Sequence, residues 1–168
     1  EKLSFLIQTL VKASRLETGI FAMDPQVHGV QRLLDAVLIQ GQHKARERGL
    51  SLTAEPTFAQ ARFDEKWTAE ALYNLVDNAL KYTPQGGKVA LSVREFELFC
   101  AIQVEDNGPG IPEGEQGAIF GRFYRGEAVR DQEGLGIGLY LAREVVTREG
   151  GYIRLNSSPG QGSRFSLY

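Results

Sequence analysis

Apolar residues recur along this chain at two spacings, 3.6 and 2, and each switch between them marks a new element. Leu3, Leu6, Ile7, Leu10 and Ala13 predict an amphipathic helix over Glu1–Glu17 that stops before Gly19. Its stripe suits partner helices or docking onto its own domain, and the pattern leaves both open. Ile20–Met23 reads as a short strand. Val30, Leu33, Leu34, Val37 and Leu38 carry a second helix over Val27–Arg48, expected to lie on a sheet. Lys44, Arg46 and Arg48 favour its carboxyl end and Gly49 closes it. Leu50–Ala54 and Ala61–Phe63 read as strands. Asp64 is placed to cap a third helix that runs to Tyr82 and ends at Thr83-Pro84. After the turn at Gly86-Gly87, Lys88–Phe96 and Leu98–Glu105 alternate as two arms of a hairpin, with Val89, Leu91 and Val93 matching Cys100, Ile102 and Val104. Asn107–Glu133 sustains no period, which predicts a long, mobile, functional segment. A helix from about Ile137 to Arg148 follows. A hairpin of Tyr152–Asn156 and Ser163–Leu167, turning at Ser158-Pro159-Gly160, completes the order. Helices segregated from mostly adjacent antiparallel strands predict a two-layer α+β sandwich.

Composition narrows the function classes. With 168 residues, 42% of them hydrophobic, the chain suits one domain with a single core. Its formal charge of −2 comes from 19 basic and 21 acidic residues mixed along the sequence, which gives no electrostatic footprint for nucleic acid. The one cysteine, Cys100, can form no internal disulfide and belongs to no zinc-type spacing. It fits a reducing setting and is expected in buried packing. No apolar run approaches the roughly 20 residues of a membrane-spanning helix. A start at Glu1 and a stop inside an apolar strand pattern read as a fragment of a longer protein.

Chemistry concentrates between Asn74 and Gly138. In the third helix Leu72, Leu75, Val76, Ala79 and Leu80 make the core stripe, and Asn74, Asp77, Asn78 and Lys81 share the opposite face. Taken alone, that face is solvated surface with an Asp77–Lys81 pair at i,i+4. Two asparagines four apart in mid-helix weaken this reading, because asparagine is a poor helix former. A carboxamide oxygen is also a hard neutral ligand for magnesium, which makes Asn78 the candidate metal ligand. Asp106 ends a strand and opens Asp106-Asn-Gly108-Pro-Gly110, where glycines allow close approach of another group. Apart from its neighbours this is an ordinary turn. An ionised carboxylate only accepts, so it can take the adenine amino group and would repel the guanine carbonyl oxygen.

Gly134-Leu-Gly136-Ile-Gly138-Leu139 opens the last long helix, where unpaired N–H groups and the positive dipole end attract phosphate. A dinucleotide fingerprint is excluded, because Leu139 stands where the third glycine belongs and no strand precedes. A Walker loop is excluded because no Gly-Lys-Ser/Thr is present. Phe120, Phe123, Tyr124 and Arg125 lie in the aperiodic segment. The aromatic rings can anchor it while Arg125 reaches a terminal phosphate, with Arg130 a second, weaker candidate.

The order of these signatures resembles the catalytic ATP-binding domain of bacterial sensor histidine kinases, within the GHKL superfamily that includes Hsp90, DNA gyrase and MutL. Asn74–Pro84 resembles the N box, Asp106–Gly110 the G1 box, Ile119–Arg125 the F box and Gly134–Leu139 the G2 box. Gly160-Gln-Gly-Ser163 resembles the last glycine motif, and Ser14–Glu17 the end of the second dimerisation helix. The resemblance implies a Bergerat-type fold, a mixed, mostly antiparallel sheet with helices on one face. Residues 1–18 would be the truncated dimerisation helix and 19–168 the catalytic domain, with a lid over about 108–136. It implies that Asn78 binds magnesium, Lys81 and Arg125 contact phosphates, Tyr82 stacks near adenine, Asp106 fixes its amino group and Asn74 supports the phosphate end. Gly108, Gly110, Ile111, Tyr124, Gly134, Leu135, Gly136, Gly138, Leu139 and Ser163 complete the implied ATP site. The implied reaction moves the ATP γ-phosphoryl group to a histidine of the dimerisation domain and onward to a response-regulator aspartate. The parent would be a homodimeric, membrane-anchored sensor kinase whose cytoplasmic part includes this chain. No His-acidic-Arg-Thr-Pro acceptor motif is present, and His28 and His43 on the expected second helix read as surface or packing residues. The alternative is an ATP-operated conformational or non-catalytic GHKL binding module.

Overall fold

The computed structural model describes residues 2–19, 22–126 and 136–168. The expectations placed on Ile20, Arg130, Gly134 and Leu135 lie outside the described residues. Helix α1 spans Lys2–Thr18 and ends at Gly19, whose φ of +68° suits glycine. Ala13 is fully buried against the domain, while Leu3, Ile7 and Leu10 remain exposed.

Strand β1 (Gln26–Gly29) pairs antiparallel with β3 (Gln60–Phe63) in a two-stranded sheet. The short strand expected at Ile20–Met23 therefore lies further on: Ala22 and Met23 are outside any strand. Pro25 supplies no N–H, and the Asp24 N–H goes instead to Asp64 Oδ2 at 2.8 Å. Because Val27–Gly29 are taken up in the pairing with β3, helix α2 begins at Val30 rather than Val27 and runs to Glu47. His28, expected on that helix, is a strand residue whose ring packs 5.3 Å from Phe63, while His43 stays on α2 beside Glu47.

The main sheet has the order β2-β4-β5-β7-β6, from β2 (Ser51–Ala54), β4 (Lys88–Glu95), β5 (Cys100–Asp106), β6 (Ile153–Ser157) and β7 (Ser163–Leu167). Only the β2–β4 pair is parallel. The β4–β5 register sets Leu91 against Val104 and Val93 against Ile102, the facing expected from alternation. Cys100 pairs with Glu95 at the strand end and is only half-buried, so it is not the core cysteine expected; burial pushes its thiol pKa up.

Helix α3 (Glu65–Tyr82) lies between α2 and α5 (Gly138–Arg148), and the three cover the sheet. Asp64 caps α3 by accepting from the N–H groups of Lys66 at 3.1 Å and Trp67 at 2.9 Å. Leu72, Leu75, Val76 and Leu80 are fully buried with Leu91, Val104 and Phe165 of the sheet, which leaves the polar face of α3 at the layer's edge. Among its described residues the aperiodic segment forms a short helix, α4 (Glu113–Gln116). Among the described residues no helix is long and apolar enough to cross a membrane.

Candidate nucleotide site

The polar face of α3, the carboxyl end of β5 and the amino end of α5 converge on one cavity of about 830 Å³. That size is in the range of ligand sites. Asn74, Asn78, Lys81 and Tyr82 enter it from α3 and Asp106 from the end of β5, with Gly110 and Ile111 just beyond. Tyr124 and Arg125 line a second side, Gly136, Gly138 and Leu139 a third, and Ser163 the floor beside Phe165. Gly134 and Leu135 lie outside the described residues. Gly108 is not in the wall. It is buried behind Asp106, and its N–H donates to Asp106 Oδ1 at 2.9 Å.

Asp106 is half-buried, and burial raises its carboxyl pKa above the ordinary 3.8. The N–H groups of Gly108 and Ser163 oppose that rise but do not cancel it. The side chain is thereby oriented by two donors while its acceptor capacity still faces the cavity. Tyr82 is held up by burial too; Arg125 lowers its pKa and Asp77 raises it, which places both charges within electrostatic reach of the phenol.

Asp77 bonds Lys44 of α2 rather than Lys81, because packing α2 on α3 brings in a lysine 33 residues away. Lys44, Tyr73, Asp77, Ile137 and Phe165 all line the cavity without having been expected as site residues, although Asp77 was placed on the polar face of α3. Tyr73 and Asp77 flank the predicted asparagines on the same helix and could have been included by spacing. Lys44 carries no local signal. Cationic Lys12, Lys44, Lys66, Lys81 and Arg125 border the cavity, together with Glu70, Asp77, Asp106 and Glu115.

Two glycines of the cavity wall are required by contact. A Cβ on Gly136, at φ +69°, would stand 2.4 Å from the Tyr124 carbonyl oxygen, and one on Gly110, at φ +74°, 2.1 Å from that of Ser158. The Phe123 N–H donates to the Gly136 carbonyl at 3.0 Å, with Phe123 itself at φ +62°. The start of α5 and the Phe123–Arg125 stretch are thus docked on each other. Phe120 is the ring that anchors this stretch, edge-on to Phe165 at 6.1 Å, whereas Phe123 is half exposed with the Arg122 guanidinium over it. Helix α5 opens without a side-chain cap, so its first N–H groups are available at the cavity wall.

Among the described residues no cluster of three His, Cys, Asp or Glu side chains could hold a metal alone. The buried Asn74 Nδ2 in the cavity wall has no hydrogen-bond partner among the described residues, so this wall offers a donor to a polar ligand. One carboxamide ligand, Asn78, in a cavity lined by cations fits a magnesium ion that arrives with phosphates and keeps waters in its octahedron.

Helix α1 touches the same region. Glu17 accepts from Arg122 at 2.7 Å and from the Tyr140 hydroxyl at 3.0 Å, and Lys12 pairs with Glu70 at the cavity mouth.

The family described as "Histidine kinase-, DNA gyrase B-, and HSP90-like ATPase" matches residues 63–168. The signal transduction histidine-protein kinase/phosphatase MprB of Mycobacterium sp. (strain KMS) is 34% identical over 164 residues, covering 95% of this chain and 31% of that protein. The alginate biosynthesis sensor protein KinB of Pseudomonas aeruginosa is 34% identical over 168 residues, covering 99% of this chain and 28% of that protein. This chain therefore spans about a third of the length of these relatives. The solved structure of the Acinetobacter baumannii histidine kinase AdeS superposes with a TM-score of 0.82 at 22% identity, over 99% of this chain and 77% of that one, and shows the shared fold. The chain belongs to the histidine kinase-, DNA gyrase B- and HSP90-like ATPase family, as a catalytic ATP-binding domain of the bacterial histidine-kinase type.

Proposed function

We propose that this chain binds magnesium-ATP and donates its γ-phosphoryl group to a histidine on the dimerisation domain of the same sensor kinase, for relay to a response-regulator aspartate. The observation that carries the reading is the single cavity shared by Asn78, Asp106, Arg125 and the amino end of α5. Each wall has a distinct task. Asp106 accepts the adenine amino group, and Tyr82 and Ile111 border the base. The open N–H groups at Gly138 and Leu139 meet phosphate oxygens, Lys81 and Arg125 neutralise them, and Asn74 and Asn78 face the triphosphate end. Asn78 would hold magnesium, which when bound neutralises charge on the phosphates. The protein's own work is positioning and electrostatic stabilisation, as phosphoryl transfer requires.

Helix α1 is read as the end of the second dimerisation helix. Leu3, Ile7 and Leu10 are exposed at i, i+4 and i+7, the spacing of a seam for other helices, while Lys12 on the opposite side pairs with Glu70 and Glu17, at the end of the helix, bonds Arg122 of the catalytic layer. The parent protein is read as a homodimeric, membrane-anchored kinase with this part in the cytoplasm.

The test mixes this chain with labelled ATP, magnesium and a separate histidine-bearing dimerisation hairpin. The expected product is an acid-labile, base-stable phosphate on the hairpin that Asn78→Ala abolishes. An acid-stable phosphoserine, or no transfer despite tight ATP binding, would overturn the kinase reading.

A further inference from the structure

The turn between β6 and β7 supports the Asp106–Ile111 segment along its length. The Gly160 N–H donates to the Pro109 carbonyl at 2.7 Å, and a Cβ on Gly162 would stand 1.9 Å from the Asp106 carbonyl oxygen. One side chain joins both segments. Ser157 Oγ accepts from the Ile111 N–H at 2.8 Å, donates to the Gly162 carbonyl at 2.9 Å and lies 2.9 Å from Ser163 Oγ.

A serine hydroxyl has one proton and two acceptor lone pairs. The Ser157 proton is committed to Gly162 and one lone pair to Ile111. Its third contact is satisfied only when the Ser163 hydroxyl is the donor. Ser163 thereby turns its proton toward Ser157 and leaves lone pairs on the cavity floor, on the strand residue paired with Asp106.

We propose that Ser157 is a specificity-determining positioning residue of the base subsite: by taking the Ser163 proton it keeps the wall built from Asp106 and Ser163 acceptor-only. The proposal rests on the ATP-binding reading above. An acceptor-only wall suits an exocyclic amino group, which is all donor, and rejects a carbonyl at the same ring position. Without the Ser157 hydroxyl, Ser163 is free to rotate and donate into the cavity, and the penalty against a carbonyl base is relieved.

Inosine triphosphate probes this effect: it replaces the adenine amino group by a carbonyl and the N1 acceptor by an N1–H donor, lacks the extra amino group of guanine, and is compared as a ratio across variants for which the N1 change is common. The experiment measures dissociation constants of magnesium-ATP and magnesium-ITP by calorimetry for the wild type, Ser157→Ala, Ser157→Thr, Ser163→Ala and the double alanine variant. The ratio of the two constants is insensitive to the fraction of folded protein, so simple destabilisation does not move it. Ser157→Ala should lower the preference for ATP about threefold to tenfold, the range of one neutral hydrogen bond. Ser157→Thr, which keeps the hydroxyl, should retain the wild-type ratio. In the Ser163→Ala background, Ser157→Ala should change the ratio no further. If Ser157→Ala does not fold, Ser157→Cys, with its weak sulfur partner, carries the same test. ATP binding with a ratio unaltered by Ser157→Ala, or altered equally when Ser163 is absent, overturns this proposal and leaves the ATP reading intact. Failure of the wild type to bind ATP overturns both.

Discussion

Asp106→Asn separates recognition from folding. The native carboxylate is oriented by the Gly108 N–H at 2.9 Å and by the Ser163 N–H, and in the proposed complex it accepts from the adenine amino group. A hydrogen bond to a charged group is worth about 1.5–3 kcal/mol, and an asparagine that keeps its oxygen on Gly108 presents an N–H₂ donor where an acceptor is needed. The expected loss of ATP affinity is about 10- to 150-fold. Stability should move the other way. The folded-state pKa of Asp106 is raised above its unfolded value because burial outweighs its two N–H donors. Its contribution is therefore most favourable below the ordinary 3.8 and is lost as pH rises through the folded value. The neutral amide escapes this cost, so the variant should melt no lower than the wild type at pH 7. Binding has the opposite dependence. Wild-type affinity needs the ionised form, and should fall on acidification at a less acidic pH than an ordinary aspartate would give. The variant should lack that acid limb. Calorimetric titration across pH, with differential scanning calorimetry on the same samples, checks each part. An Asp106→Asn protein that binds ATP like the wild type, with the same acid limb, refutes the reasoning.

Two further outcomes test the frame around the site. Gly136→Ala places a Cβ 2.4 Å from the Tyr124 carbonyl oxygen at φ +69°, so the Tyr124–Arg125 stretch must recede while the residue bears about 1–2 kcal/mol of left-handed strain. The melting temperature should fall by about 3–8 °C and the preference for ATP over ADP should shrink as Arg125 withdraws, readable by thermal scanning and nucleotide competition; no change in either contradicts the docking. Glu149 accepts from the Asp64 N–H at 2.7 Å and from the Thr68 hydroxyl at 2.8 Å, and its pKa is raised first by burial and then by Asp64. Its favourable share is present below the ordinary 4.5 and lost as pH rises through the folded value, so Glu149→Gln should match the wild type in acid and gain on it toward neutral pH in urea melts. A constant difference across pH would remove Glu149 from that account.

Local signals in the chain carried much of this molecule. Asp64 before an apolar stripe announced the cap of α3, and alternation set Leu91 against Val104, because these features depend on neighbours a few residues apart or on a period of two. Gly110 was legible as a site of close approach, since that is what the residue permits. Long-range pairing decided the rest. Pro25 and the pairing of β1 with β3 moved the first strand and the start of α2, and the packing of α2 on α3 gave Asp77 to Lys44 in place of Lys81. Nothing local marks Ser157, which lies between the strand expected to end at Asn156 and the turn at Ser158-Pro159-Gly160. Only when β6 and β7 close against the end of β5 do Ile111, Gly162 and Ser163 meet at its hydroxyl, because a side-chain hydrogen bond between distant segments leaves no period, cap or spacing in the chain that makes it.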